Sequence, residues 1–234
     1  MSNIIWKGVS STLVNGLIIC ELPPITKPQM RTKETKIDGM DGSIIEELGY
    51  SSYTKNVKIG LHGNFDIDKV IKYFTGEGNI VFSNEPDKVY KAKICGEIDY
   101  AKLLRYRTAT IPFIVQPYKC KFNEYLTETT PTDIENAYIE VFNEGFENSK
   151  PLMILKGSGA VEISVNGVGV FSYTFPEGED EVYIDSEIED AYLGDVLKNR
   201  NMNGEFPILL PQTNKIEWSG DVESISILPR SRWL

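Results

Sequence analysis

One histidine, His62, serves the whole chain of 234 residues. A Ser-His-Asp triad, a Cys-His pair or a two-histidine metal centre would have to use it or do without it. It ends the alternating run Val57-Lys58-Ile59-Gly60-Leu61, where a strand-end polar residue is the plain reading. Cysteine is nearly as scarce. Cys20, Cys95 and Cys120 lie far apart, odd in number and without a CxxC. That argues against a disulfide framework and a zinc site and predicts reduced core thiols. No apolar run approaches the roughly 18 residues that span a bilayer. Met1–Trp6 lacks the basic-then-apolar pattern of a secretory signal, so a soluble chain made in a cytoplasm is expected. There is no GxGxxG, Walker loop, HExxH or GxSxG. These absences predict no catalytic residue, no metal and no cofactor, hence no enzyme.

Basic residues are scarce in one half only. Residues 1–125 hold 17 Lys+Arg against 14 Asp+Glu, a net +3; residues 126–234 hold 7 against 20, a net −13. The shift predicts two domains, 1–125 and 126–234. The acidic half would repel phosphates, so sequence-specific nucleic-acid binding is not expected. A polar, threonine-rich linker is expected over Asn123–Asn136, within which Thr127-Glu128-Thr129-Thr130-Pro131-Thr132-Asp133 carries the proline.

What is present is mostly β pattern. Residues 55–61 alternate polar and apolar. Asn79–Phe82 and Lys88–Ile94, joined by Ser83–Asp87, read as a hairpin. Arg105–Ile111 leads into Pro112–Val115 as an extended run, with Pro112 suggesting an edge or a bulge. One helix is expected at about 66–75. Asp66 can cap it, Ile67, Val70, Ile71 and Phe74 make one apolar stripe, and Gly76 offers the stop. In the second half, Ala137–Phe142, Pro151–Leu155, Ala160–Val165, Val168–Tyr173, Val182–Asp185, Ile216–Trp218 and Ser224–Leu228 read as strands. Asn166-Gly167 marks a hairpin turn. Many short strands suggest a β-sandwich.

Residues 24–50 break the pattern. Arg31–Ile37 is extended but almost wholly polar, and Asp38-Gly39-Met40-Asp41-Gly42-Ser43 is a turn. Such a hairpin gains little by folding onto its own domain. It is either an arm completed by a neighbouring chain or a solvated loop. As an arm, its candidate contact residues are Lys27, Arg31, Lys33, Lys36, Asp38, Gly39, Asp41 and Gly42. The four cations would make it basic and its docking sensitive to salt.

Several segments together resemble the distal tail protein family of long-tailed phages, often called Dit. They are Asp38–Ser43 followed by Glu47-Leu48-Gly49-Tyr50, then the alternating strand and single helix, then Tyr106-Arg107-Thr108-Ala109 leading to Phe113-Ile114-Val115-Gln116-Pro117-Tyr118. The second half adds Tyr183-Ile184-Asp185-Ser186-Glu187, Asn203-Gly204-Glu205-Phe206-Pro207 and Leu210-Pro211-Gln212-Thr213-Asn214-Lys215-Ile216. Where that family often has Pro-Gly, this chain has Pro211-Gln212, so a different turn is expected there. The resemblance implies a mainly β fold of two β-sandwich-like domains. The first would carry one α-helix and the protruding hairpin, and the second would be galectin-like or carbohydrate-module-like. It further implies a hexameric ring hub at the virion tail tip, joining tail tube to tip. Its partners would be copies of itself, the major tail tube protein, the tail-associated hub protein and the tape measure protein. No membrane is involved.

Two other classes are open to the same residues. A carbohydrate-binding module would grip host saccharide through exposed aromatics, with Tyr173, Tyr183, Tyr192 and Trp218 as candidates. A glycosidase would need two converging carboxylates, with Asp185, Glu187, Glu189 and Asp190 as candidates. The acidic run Glu177–Glu181 lacks the ligand spacing of a calcium loop and reads as a solvated turn.

Overall fold

Each alternating run of the first half becomes a strand. The computed structural model describes residues 2–39, 41–129 and 138–234, and the chain divides into two units, Met1–Phe122 with Leu234, and Asn123–Trp233. The first unit contains β1 (Ile4–Trp6), β2 (Val9–Ser10), β3 (Leu17–Glu21), β4 (Met30–Thr35), β5 (Ile44–Tyr50), β6 (Tyr53–Leu61), β7 (Glu77–Phe82), β8 (Lys88–Ile94) and β9 (Thr108–Lys121). Seven of these form an antiparallel sheet in the order β2-β1-β7-β8-β9-β6-β3. The core is built from their inward residues, among them Trp6, Ile59, Phe82 and Phe113.

Helix α1 (Ile67–Tyr73) is capped as expected, with Asp66 accepting from the Asp68 and Lys69 N–H groups. Val70 and Phe74 are buried, while Ile67 only packs against the core edge. A second helix, α2 (Tyr100–Tyr106), corrects the one-helix expectation and the reading of Arg105–Arg107 as extended. Asp99 caps it by accepting from Lys102 N at 2.7 Å, Leu103 is buried, and Arg107 ends it in the left-handed conformation. Pro112 has a strand partner on one side only, Asn56 of β6, as an edge-tolerant residue should. On its other side it lies just beyond the last β8 pair, Ile94 with Phe113. None of the three thiols is a core residue: Cys20 and Cys95 are exposed and Cys120 is half-buried.

The second unit has β10 (Thr127–Thr129), β11 (Tyr138–Asn143), β12 (Leu152–Val165), β13 (Val168–Thr174), β14 (Glu181–Asp185), β15 (Asp190–Leu193), β16 (Val196–Leu197), β17 (Met202–Gly204) and β18 (Gln212–Leu228). Two pairs of expected short strands are in fact two long ones, β12 and β18. They pair along their length with register shifts near Gly157 and between Ser158 and Glu162. The beginning of β12 pairs with β14 and its end with β13; the beginning of β18 pairs with β11 and its end with β10. Two bent strands thus serve both layers of a sandwich, the usual way a strand turns a corner. Met153, Val182 and Ile225 from one layer meet Val161, Phe171 and Ile216 from the other in one core.

The bend requires glycine. A Cβ on Gly157 would lie 2.2 Å from the Asp221 carbonyl oxygen, and Gly220 has φ +93°. Gly157→Ala should therefore destabilise the second unit by about 1–3 kcal/mol, read from the denaturant midpoint. An unchanged midpoint would show that the bend can open without cost.

Asn166 and Gly167 both have positive φ, as a two-residue hairpin turn demands. Gln212 sits at φ 76°, so the departure from Pro-Gly keeps a left-handed backbone. Asn214 holds that turn. It is fully buried, accepts from Leu210 N and donates to the Leu210 and Gln212 carbonyls. Of the expected linker, residues 130–136 lie outside the described residues, and Thr127–Thr129 is a strand paired with Ile225–Ile227.

Candidate functional site: a hairpin arm and its buried anchor

Strands β4 and β5 pair only with each other among the described residues, as a two-stranded sheet. Gly39 and Gly42 turn the tip, each with positive φ. A lone ribbon of this kind is marginal in water. Its expected contact residues Lys27, Arg31, Lys33, Lys36, Asp38, Gly39, Asp41 and Gly42 are all exposed. Arg31 Nη2 donates to the Leu48 carbonyl at 2.9 Å, Lys33 lies 3.6 Å from Glu46, and Lys27 stands over the Tyr50 ring.

The arm is not basic. Over residues 24–50, four cations meet five carboxylates. It is also more apolar than its first strand suggested: Ile37, Ile44, Ile45 and Leu48 are all exposed. The cations lie on β4 and on either side of it, from Lys27 to Lys36, and three of the four apolar residues, Ile44, Ile45 and Leu48, lie on the returning strand.

The base of the arm is held by residues the sequence reading passed over. Lys55, only 2% exposed, donates from Nζ to the Pro24 carbonyl at 3.0 Å. Asn84 Nδ2 donates to the Pro23 carbonyl at 3.0 Å. Beside Lys55, the buried Glu85 carboxylate takes Lys119 Nζ at 2.6 Å and the Tyr90 hydroxyl at 2.5 Å. Lys55 also lies over the rings of Tyr90, Tyr53 and Phe82, at 5.0 to 5.7 Å from their centroids. Burial lowers the Lys55 pKa; Glu85 opposes this and Lys119 adds to it. Burial, followed by the Glu85 charge, pushes the Tyr53 phenol up to about 12. The signal for this cluster was readable: Lys55 shares the parity of Val57, Ile59 and Leu61, the buried face of β6.

The other candidates do not assemble into a site. Tyr173 is buried, and Trp218 packs against the core opposite Ile163. Tyr183 and Tyr192 stack at 5.4 Å across β14 and β15, flanking the inward Ile184 and Ala191. The four rings therefore face two opposite sides of the layers. Asp185 is engaged by Arg230 in two hydrogen bonds of 2.6 and 2.8 Å and accepts the Glu187 N–H. Burial pushes the Asp185 carboxyl up, but the Arg230 hydrogen bonds, the Glu187 N–H and the guanidinium charge outweigh it and hold the group below 3.8. Lys150 takes Glu189 at 3.0 Å, and Asp190 accepts from Asn199. His62 is exposed just past β6. No group of three or more potential metal ligands occurs among the described residues, and no helix among them is long and apolar enough to cross a membrane.

Comparison with known proteins agrees with the β architecture. Residues 12–115 match the family described as the phage tail protein RIFT-related domain. No curated protein matches the chain in sequence. Among solved structures, the Dit protein of phage SPP1, described as a paradigm of the hub adsorption apparatus in phages infecting Gram-positive hosts, superposes with a TM-score of 0.70. Identity is 15%, and 97% of each chain is covered. Chains of the phage p2 baseplate in its activated conformation match at 10% identity. The strontium form gives a TM-score of 0.52 with 97% and 96% covered, and the calcium form 0.53 with 97% of each. Residues 12–115, within the first unit, are thus similar to the phage tail RIFT-related domain, and along its whole length the chain has the fold of the Dit protein of phage SPP1.

Proposed function

We propose that this chain is a non-enzymatic hub of the phage tail tip, six copies of which close into a ring joining the tail tube to the tip. The observation that carries this reading is the arm. A two-stranded ribbon with exposed isoleucines and a leucine, fixed at its base by Lys55 and Asn84, is built to be completed by another chain. One arm donated and one received per copy is a head-to-tail contact, which repeats about an axis until it closes. The family likeness supports the tail setting. The ring's faces would then meet the major tail tube protein, the tail-associated hub protein and the tape measure protein, and DNA would pass without being read. With Asp185 held by Arg230, the paired-carboxylate route to hydrolysis has no free acid at that position.

Native mass measurement across concentrations tests the ring. The full chain should give a hexamer, and a chain lacking residues 31–43 should fold but remain monomeric. A full chain that is monomeric at every concentration, or a shortened chain that forms the same ring, would refute the reading.

A further inference from the structure

The arm needs a seat, and the first unit offers one. Between β1, β2 and α1 lies an open cavity of about 330 Å³. Its walls are Trp6, Val9, Val14 and Tyr73. Its rim carries three lysines, Lys7, Lys69 and Lys72. Trp6 is buried, yet its indole N–H has no acceptor among the described residues, an arrangement that costs stability unless something completes it. Lys7 donates to the Thr75 carbonyl and Lys69 lies 3.3 Å from Asp66. Lys72 has neither a hydrogen bond nor an ion pair among the described residues.

The arm presents the complementary chemistry. Ile45 lies directly opposite Glu34, and Glu47 opposite Thr32, so these side chains share one face of the ribbon. Ile45 is 65% exposed. Glu34 and Glu47 have no ion pair among the described residues, whereas Glu46, on the other face, pairs with Lys33. One face is thus an isoleucine between two free carboxylates, and the cavity is an apolar recess ringed by ammonium groups.

Building on the ring reading, we propose that the Ile45 face of each arm seats in the Trp6 cavity of the next copy, with Glu34 and Glu47 meeting Lys69 and Lys72. Each chain carries one arm and one cavity, and the two are unlike. The contact is therefore heterologous and suits a closing ring rather than a two-fold dimer. Apolar burial would hold the seat, while the opposite charges fix its register and make assembly weaken with salt.

The test is a charge swap in the full chain, read as the concentration of half-assembly by sedimentation. Glu34→Lys with Glu47→Lys, and separately Lys69→Glu with Lys72→Glu, should each raise that concentration about tenfold or more. Combining all four should restore it to within about threefold of the original. Ile45→Ser, at a position 65% exposed, should also weaken assembly about tenfold while leaving the denaturant midpoint of the first unit unchanged. The NMR signal of the Trp6 indole N–H, assigned with Trp6→Phe, should move on assembly of the original chain. If the four-residue variant assembles no better than either pair, the seat is wrong. If the lysine variants assemble normally while the chain lacking residues 31–43 does not, the seat is again wrong but the arm reading stands. If the shortened chain assembles normally, both fall.

Discussion

Glu85→Ala should destabilise the first unit by about 3–5 kcal/mol, because it strips two buried lysines of the counter-charge they share. Lys55 and Lys119 are 2% and 8% exposed, and the Glu85 carboxylate between them is 8% exposed. Removing it leaves Lys119 Nζ and the Tyr90 hydroxyl without their acceptor. The cluster of two lysines and one glutamate has one cation in excess. Lys55→Met should therefore cost far less, about 1 kcal/mol, since it removes a charge that burial already disfavours. The apolar stem would keep its place among Tyr53, Phe82 and Tyr90. Lys55→Met should instead loosen the arm, because the Pro24 carbonyl loses its donor. Hydrogen exchange separates the two effects. Glu85→Ala should speed exchange across the strands of the first unit, whereas Lys55→Met should speed it in β4 and β5 alone. Equal costs for the two substitutions would overturn the charge count.

Asp185→Ala should cost the second unit about 2–3 kcal/mol, because the half-buried Arg230 guanidinium loses both of its hydrogen bonds and keeps only the Glu187 carboxylate at 3.5 Å. Asp185 has 8% of its side chain exposed and Arg230 22%. The pair also sets an acid limit. The folded-state pKa of Asp185 lies below the ordinary 3.8. The folded form thus holds its proton less tightly than the unfolded one. The stabilisation is complete above pH 3.8 and is lost as pH falls through the lowered value. Denaturant midpoints of the second unit should fall with acid below pH 3.8, and the Asp185→Ala variant should show a smaller fall. Parallel curves for the two proteins would remove Asp185 from the account.

Much of this molecule can be read from local pattern. Alternation in residues 55–61 predicts β6, Asp66 and the stripe after it predict α1, and Asn166-Gly167 predicts the β12–β13 turn, because each depends only on near neighbours along the chain. The polar run Arg31–Ile37 predicts a ribbon that finds little to bury on its own domain, since a strand without an inward row has no reason to join a sheet. Helix α2 was legible in part, through Asp99 followed by the helix-forming Ala101, Lys102, Leu103 and Leu104, but with a single buried residue it has too little periodicity to stand out. What depends on contacts far apart in sequence was decided only in three dimensions. Lys55, Glu85 and Lys119 meet because β6, the β7–β8 loop and β9 converge, over separations of 30 and 34 residues. β12 and β18 are continuous because each bends against the other at Gly157 and Gly220, so neither glycine alone announces a corner instead of a turn. Tyr173 and Trp218 face inward while Tyr183 and Tyr192 face outward because the pairing register places them so. Composition records that these side chains exist, but the side of a sheet each occupies follows from which strand lies next to it.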